Sequence, residues 1–284
     1  MTEEIDVSSL KTWIGNSETV SDYLTSSLVG RFHATLDPLL WLGGDGAPLG
    51  IQWCTNVSAA HTGKLSEDGH ALKGDFLPPV PLPARMWAGG EIIHYQELST
   101  DMSVIRISKV SDVVAKNGKS GPLFFVTIDQ EFFSQDRLCI SERQDFVFRD
   151  FPKTGKPITS KPASLTDTVR GTLMGKLTPD PILLFRYSAL TFNSHRIHYD
   201  QGYACNTEGY PGIVVHGPLQ ATWLLNLAAK IVGKPPRRFS FRGLAPVTAG
   251  SPISLFHAGD KNSGKVWCEA DNGVTSFVAQ YHDS

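Results

Sequence analysis

The 284-residue chain has no apolar run of the ~18 residues that a membrane-spanning helix needs, so no segment reads as transmembrane. Its opening, MTEEIDVSSL, lacks the apolar stretch of a secretory signal and carries the acidic residues that a mitochondrial presequence avoids. Those absences point to a cytoplasmic location. Cysteine is scarce: Cys54, Cys139, Cys205 and Cys268 stand far apart with no paired spacing. They read as free thiols in a reducing compartment and argue against a disulfide framework or a zinc site. Charge is scarce as well, at 19% of residues with a net of −2, which excludes the basic surface of a nucleic-acid binder. There is no glycine-rich phosphate loop, no cluster spaced for a metal, and no serine in a nucleophile elbow.

What is present suffices for a buried core. Apolar residues make up 41% of a chain long enough for one large domain or two small ones. The spacing predicts a helix over 17–35, capped by Ser17, with Val20, Tyr23, Leu24, Leu28 and Phe32 on one face. A glycine-rich loop (43–50) and a short segment (51–55) follow. Residues 61–85 show no periodicity and hold four prolines, a long loop of the kind that usually has a function. Strand patterns occupy 91–98, 104–116, 123–133 and 138–148, with Asn117-Gly118 as a tight turn. Residues 150–180, again with four prolines, read as a linker. Beyond it come a helix over 218–232 and strand patterns at 238–247, 252–258, 265–269 and 275–281. A helix followed by an antiparallel meander therefore occurs twice, which divides the chain into halves 1–149 and 181–284.

The chemistry concentrates between residues 182 and 220. Residues 182–190 read as a strand, Phe185, Tyr187 and Ala189 alternating with Arg186, Ser188 and Leu190. A polar turn with Asn193, His195, Arg196 and His198 follows, then an apolar run ending in His216 and Gly217. A histidine can take or give a proton near neutral pH, so His198 is a candidate for proton transfer; its bland alternative is a structural imidazole bonded to backbone. Gly217 opens the 218–232 helix, where unpaired N–H groups and the helix dipole favour a developing oxyanion; its alternative is a glycine kept for packing. His195 is a second titratable candidate, Asp200 reads as a cap, and His216 as structural. Arg186, Arg196, Arg237, Arg238 and Arg242 offer charge for phosphates or a carboxylate, or else lie on a solvated face. Trp87 could line an acyl pocket, and Gly89 with Gly90 permits close approach of a backbone.

Four segments carry a family resemblance: GHALKGDFLPPVPLPARMWAGG (69–90), KSGPLFFVT (119–127), FRYSALTFNSHRIHYD (185–200) and YPGIVVHGPLQAT (210–222). They resemble the MaoC-like (hydratase 2) enoyl-thioester hydratases, in particular the branch of 3-methylfumaryl-CoA, mesaconyl-C4-CoA and itaconyl-CoA hydratases. The resemblance implies an α+β double hot-dog; because the N-terminal helix lacks a His-Gly start and an Asn/His turn, that half reads as non-catalytic and the C-terminal half as catalytic. The resemblance further implies a hydro-lyase with no cofactor other than the coenzyme A of its acyl-CoA substrate, a branched C5 dicarboxylyl-CoA converted to citramalyl-CoA in itaconate degradation. The family's Asp-x-Asn-Pro-x-His turn maps onto Asn193, His195, Arg196 and His198, with Gly217 at the His-Gly helix start. Asn193 departs from the aspartate: an amide can hold a water but cannot accept its proton, so His198 must carry more of the transfer or share it with His195. A 3-hydroxyacyl-thioester dehydratase of fatty-acid synthesis and a non-catalytic thioester-binding protein are the alternatives. A thioesterase fits less well, because no acidic base precedes the central helix. A homodimer is the expected assembly.

Overall fold

The computed structural model describes residues 7–118, 121–151 and 171–283. A one-turn helix α1 (Val7–Lys11) leads into strand β1 (Ser17–Leu24) and helix α2 (Ser26–Leu36). After a long irregular stretch come β2 (Ala84–His94), β3 (Met102–Gly118), β4 (Gly121–Ser134) and β5 (Arg137–Arg149). The second half begins with β6 (Thr172–Leu177), continues through helices α3 (Pro181–Leu190), α4 (Gln201–Asn206) and α5 (Gly217–Val232), and ends in β7 (Arg238–Gly243), β8 (Ile253–Gly259), β9 (Ser263–Ala270) and β10 (Thr275–His282).

Among the described residues all ten strands join one antiparallel sheet in the order β1-β3-β4-β5-β2-β7-β10-β9-β8-β6. Counted outward from the β2–β7 seam, the two halves have the same order: first strand at the edge, second at the seam, and the remaining three between as a meander. This is a double hot-dog of class α+β, as the duplicated element order predicts. Period-2 burial drives the sheet. On β4, Phe124, Val126, Ile128, Gln130 and Phe132 point inward while the residues alternating with them face outward. Helix α5 is apolar nearly all round, which requires burial on every side. It lies against β2, β7, β9 and β10, with Leu219, Trp223, Leu224, Leu225 and Ala228 buried. Its buried Asn226 donates to Leu49 O (3.0 Å) and accepts from Trp41 N (2.9 Å), so the loop before the first meander is tied to the second half's helix.

Three predicted elements differ from the structure. Residues 17–35 are not one helix. Ser17–Leu24 pairs with β3 as an edge strand, and the helix starts only at Ser26, where Thr25 Oγ1 accepts from Leu28 N (3.1 Å). Leu28, Phe32 and Leu36 then bury one face of it. Residues 182–190 form a helix rather than a strand. Asp180 caps it through Leu183 N (2.7 Å) and Pro181 fits its first turn. Burial falls on Leu184, Tyr187 and Ser188, at helical spacing, while Ile182 (67%) and Phe185 (66%) remain exposed. A short apolar run satisfies both periods, and the cap decides. Of the predicted linker, residues 152–170 lie outside the described residues, but Thr172–Leu177 is the edge strand β6 paired with β8.

Candidate active site

Helix α3 ends at Leu190, and residues 193–198 turn back across its C-terminal end. Asn193 holds that turn in shape: its Oδ1 accepts from His195 N (3.0 Å) and its backbone N–H donates to Ser188 O (2.9 Å). The 3-10 turn Arg196–His198 places His198 under the strand-like Val214, whose carbonyl accepts from His198 Nδ1 (2.7 Å). A carbonyl can only accept, so Nδ1 carries the hydrogen and Nε2 keeps its lone pair. His216, the residue before α5, stacks on the His198 ring at 3.6 Å and shares a hydrogen bond between its Nε2 and Ser188 Oγ (2.8 Å). On the other side His195 meets His198 edge-on at 5.5 Å, and its Nε2 bonds the buried carboxylate of Glu208 (3.1 Å).

A fourth imidazole comes from the other half. His70, in the proline-rich loop, lies 4.2 Å from the His195 ring, and its Nδ1 bonds Asp68 Oδ2 (2.8 Å). The loop is fastened to the turn: Arg196 N donates to Asp68 O (2.9 Å) and Ser194 Oγ to Gly69 O (2.5 Å). Gly69 has φ +91°, and a Cβ there would lie 1.9 Å from Ser194 O, so only glycine permits this approach. Donor atoms of Asp68, His70 and His195 lie within 4.8 Å of one another. Because Asp68 and His70 are bonded to each other and His195 to Glu208, the group is a hydrogen-bonded imidazole–carboxylate array.

His70, His195, His198 and His216 all line one cavity of about 520 Å³ together with Asn193, Gly217 and residues of both halves. At its helix end, Gln220 N makes the first α5 bond, to His216 O (3.2 Å). Gly217 N–H precedes that bond and has no acceptor inside the helix, and Pro218 has no N–H, so the helix start offers an available donor. Trp87 covers this point and stacks on Phe241 at 4.7 Å. A Cβ on Gly217 would meet Trp87 Cε3 at 2.9 Å, so the glycine is needed for close packing as well as for an open amide.

The arginines are placed differently from expectation. Arg186 is on the outer face of α3, donating to Ala34 O (3.1 Å). Arg196 is paired with Asp200 (2.7 Å) and lies over the Tyr203 ring. Arg237 bonds His94 O and stacks on Tyr95, Arg238 pairs with Glu91 (3.4 Å), and Arg242 is exposed on β7. None of the five lines the cavity. The arginines that do are Arg85, Arg106 and Arg149. Arg106 is paired with Glu18 (2.6 Å), and Arg149 donates to Asp150 O (3.1 Å). The Arg85 guanidinium has no hydrogen bond or ion pair among the described residues and lies 5.7 Å from the Phe146 ring centre. Burial lowers its pKa to about 10, with Asp68 opposing the shift. Gly89 is not among the residues lining the cavity, and the close backbone approach it permits is to a neighbouring strand rather than to a substrate. A Cβ there would lie 2.7 Å from Phe241 O, so this glycine closes the β2–β7 seam.

Asp68, His70, Arg85 and Glu208 are absent from the candidates read out of the sequence. Arg85 belongs to the ARMWAGG stretch that drew attention for its glycines and tryptophan, and Asp68-Gly69-His70 to a loop expected to be functional. The signal was there, but nothing local says that the loop folds onto a turn 125 residues away.

Burial keeps His198, His216, His70 and His94 uncharged at neutral pH. It lowers His198 to about 3, helped by His195 and opposed by the Val214 carbonyl, and lowers His94 to about 4 despite its Pro236 bond. Burial first, then neighbouring imidazoles, takes His216 well below 6.5; burial and then Arg85 do the same to His70 against the pull of Asp68. When pH falls below 6.5 the unfolded chain binds protons that the native state does not, so stability is lost on acidification. Each such group contributes about 1.4 kcal/mol per pH unit. Urea unfolding at pH 6.5 and 5.5 is expected to differ by at least ~2 kcal/mol; equal stabilities would mean that the imidazoles are solvated.

Known proteins resemble this chain in sequence and in fold. Residues 50–249 match the family of hydroxyacyl-thioester dehydratases of type 2. The chain is 37% identical over 269 residues to the mesaconyl-C(4)-CoA hydratase of Chloroflexus aurantiacus, covering 94% of this chain and 95% of that one. It is 32% identical to the mitochondrial hydroxyacyl-thioester dehydratase type 2 of Schizosaccharomyces pombe, over 88% and 92% of the two chains. The solved structure of HtdX from Mycobacterium tuberculosis superposes with a TM-score of 0.67 at 18% identity, over 94% of this chain and 99% of that one, a likeness of fold. Fold and relatives define an enzyme of the hydratase/dehydratase kind acting on acyl thioesters. The chain belongs to the hydroxyacyl-thioester dehydratase type 2 family, within the MaoC-like double hot-dogs.

Proposed function

We propose that the protein hydrates an α,β-unsaturated acyl-CoA whose acyl group bears a second carboxylate: a branched C5 ester such as itaconyl-CoA or mesaconyl-CoA, giving citramalyl-CoA. The observation that carries this reading is Arg85, a guanidinium with no direct partner among the described residues that lines the cavity holding the imidazoles. An uncharged acyl chain would leave that cation with only the field of the nearby Asp68 carboxylate and no direct partner, whereas a substrate carboxylate would form a charge-assisted pair with it. The likeness to a mesaconyl-C(4)-CoA hydratase supports the same substrate class. In this reading His198 moves the proton from water to the α-carbon, and the Gly217 amide receives the enolate oxygen. The chemistry calls for no cofactor beyond the coenzyme A of the substrate.

Ultraviolet assays across a panel of CoA esters test it. We expect kcat/KM for itaconyl-CoA or mesaconyl-CoA to exceed that for crotonyl-CoA by at least ~100-fold, about 2.7 kcal/mol. Arg85→Met should reduce that ratio below ~10, as one charge-assisted pair would. Arg186→Ala and Arg238→Ala, both outside the cavity, should leave it unchanged. Equal or faster turnover of straight-chain esters would sink the dicarboxylate assignment. It would favour a 3-hydroxyacyl-thioester dehydratase of fatty-acid synthesis, the reading that the Schizosaccharomyces pombe relative supports.

A further inference from the structure

The four cavity imidazoles fall into two kinds according to which nitrogen is anchored. His195 and His216 are held through Nε2, by Glu208 (3.1 Å) and Ser188 (2.8 Å). The Nδ1 of His216 is buried with no partner among the described residues, so its ring cannot serve the cavity through that atom. His198 and His70 are held through Nδ1, by the Val214 carbonyl (2.7 Å) and the Asp68 carboxylate (2.8 Å). Both anchors are acceptors, so in both rings the hydrogen is on Nδ1 and the lone pair on Nε2.

Asp68 is itself fixed. Its Oδ1 accepts from Ser66 Oγ and from His70 N (2.9 Å), and Ser66 Oγ is also within hydrogen-bond distance of His70 O (2.9 Å). Burial alone would raise its pKa, but the hydrogen bonds donated by the His70 ring, the Ser66 hydroxyl and the His70 backbone N–H hold the carboxyl well below the usual carboxylate range. Asp68 is thus a carboxylate at neutral pH. It locks the His70 tautomer and makes Nε2 a better acceptor. Asn193 does not do this for His198, whose Nδ1 is already bonded to the neutral Val214 carbonyl.

We propose that His70 is a second acceptor for the attacking water, supplied by the N-terminal half, with Asp68 as its positioning residue. This rests on the hydratase reading above. One O–H of the water donates to His198 Nε2 and the other to His70 Nε2, which aims an oxygen lone pair at the β-carbon. As the C–O bond forms, the double-bond pair shifts toward the thioester carbonyl and one water proton passes to His198. That proton is then delivered to the α-carbon, restoring neutral His198. The other proton stays on the new hydroxyl, still held by His70. In reverse the same pair holds the departing water. The N-terminal half would then share in the chemistry as well as forming cavity wall.

The test compares wild type, His70→Ala, His70→Gln and Asp68→Asn on the CoA ester that wild type hydrates fastest, with the Kd of its saturated counterpart measured alongside. The His70 variants are expected to lose at least ~10-fold in kcat with KM and Kd within about threefold of wild type. Free imidazole should restore part of the activity of His70→Ala, since the cavity has room for it. Asp68→Asn should lower kcat at unchanged KM and gain nothing from imidazole. Four results would overturn the proposal: His70→Gln within threefold of wild type; a loss in His70→Ala that imidazole does not relieve; a Kd that rises in step with the loss; or a His70→Gln chain that does not fold, the mark of a structural residue. Loss of wild-type activity in a chelator, restored by a divalent metal, would also overturn it by making the array a metal site. If wild type hydrates no enoyl thioester, the functional reading itself fails; if wild type and His70→Gln are equally active, only this inference does.

Discussion

Replacing His198 by alanine is expected to lower kcat by at least ~100-fold with the fold intact, the usual scale for removing a group that moves a proton. His198 combines three properties: a tautomer set by Val214, a lone pair left on Nε2, and a position beside the helix start that carries Gly217. The sequence alone suggests an acidic limb of the kcat/KM profile near the ordinary histidine value. The structure revises that figure. With burial lowering the group to about 3, the neutral, proton-accepting form persists far below 6.5, so the limb should shift down with it. Rates followed from pH 7.5 to 5.0 should show no histidine-like fall before the protein itself begins to unfold. His195→Ala separates two cases: a comparable loss would mean that two imidazoles divide the work, and a small loss that Glu208 and His195 only brace the turn. Should His198→Ala remain nearly as active as the parent, the assignment of the proton-transfer group collapses.

The second large effect belongs to Gly217. Proline at this position removes the N–H and should cost roughly 100- to 1000-fold in kcat, the scale seen when an oxyanion donor is lost. Alanine is the informative comparison. It keeps the donor, but its methyl group would sit 2.9 Å from Trp87 Cε3, so the indole must move within its stack on Phe241. Gly217→Ala should therefore raise KM and lower kcat only by about 10-fold, since the amide still faces the oxyanion. Circular dichroism and thermal melting establish that both variants fold. A folded Gly217→Pro enzyme with near-normal turnover would show that this amide only packs.

Several features were legible in the residues themselves because the physics behind them is local. Alternation on 123–133 and 138–148 reports a face that must be buried, whatever the partner, and β4 and β5 follow. An apolar helix that begins His-Gly-Pro announces both a buried element and an open amide, and α5 is that element. Element order disclosed the duplication, and the motif between Asn193 and Gly217 pointed to residues that line the cavity. Where two periods fit equally, as at 182–190, the deciding atoms lay just upstream in Asp180 and Pro181. The arginines and the second imidazole pair were a different matter. Whether Arg85 or Arg186 faces the cavity, and whether His70 meets His195, depends on how β2 joins β7 and how a loop at 66–70 closes over a turn at 193–198. Such contacts between distant residues leave no periodic trace in the chain. Nor does the choice of nitrogen that each histidine keeps free, because the acceptor that makes it, Val214 O, Asp68, Glu208 or Ser188, is put there by tertiary packing alone.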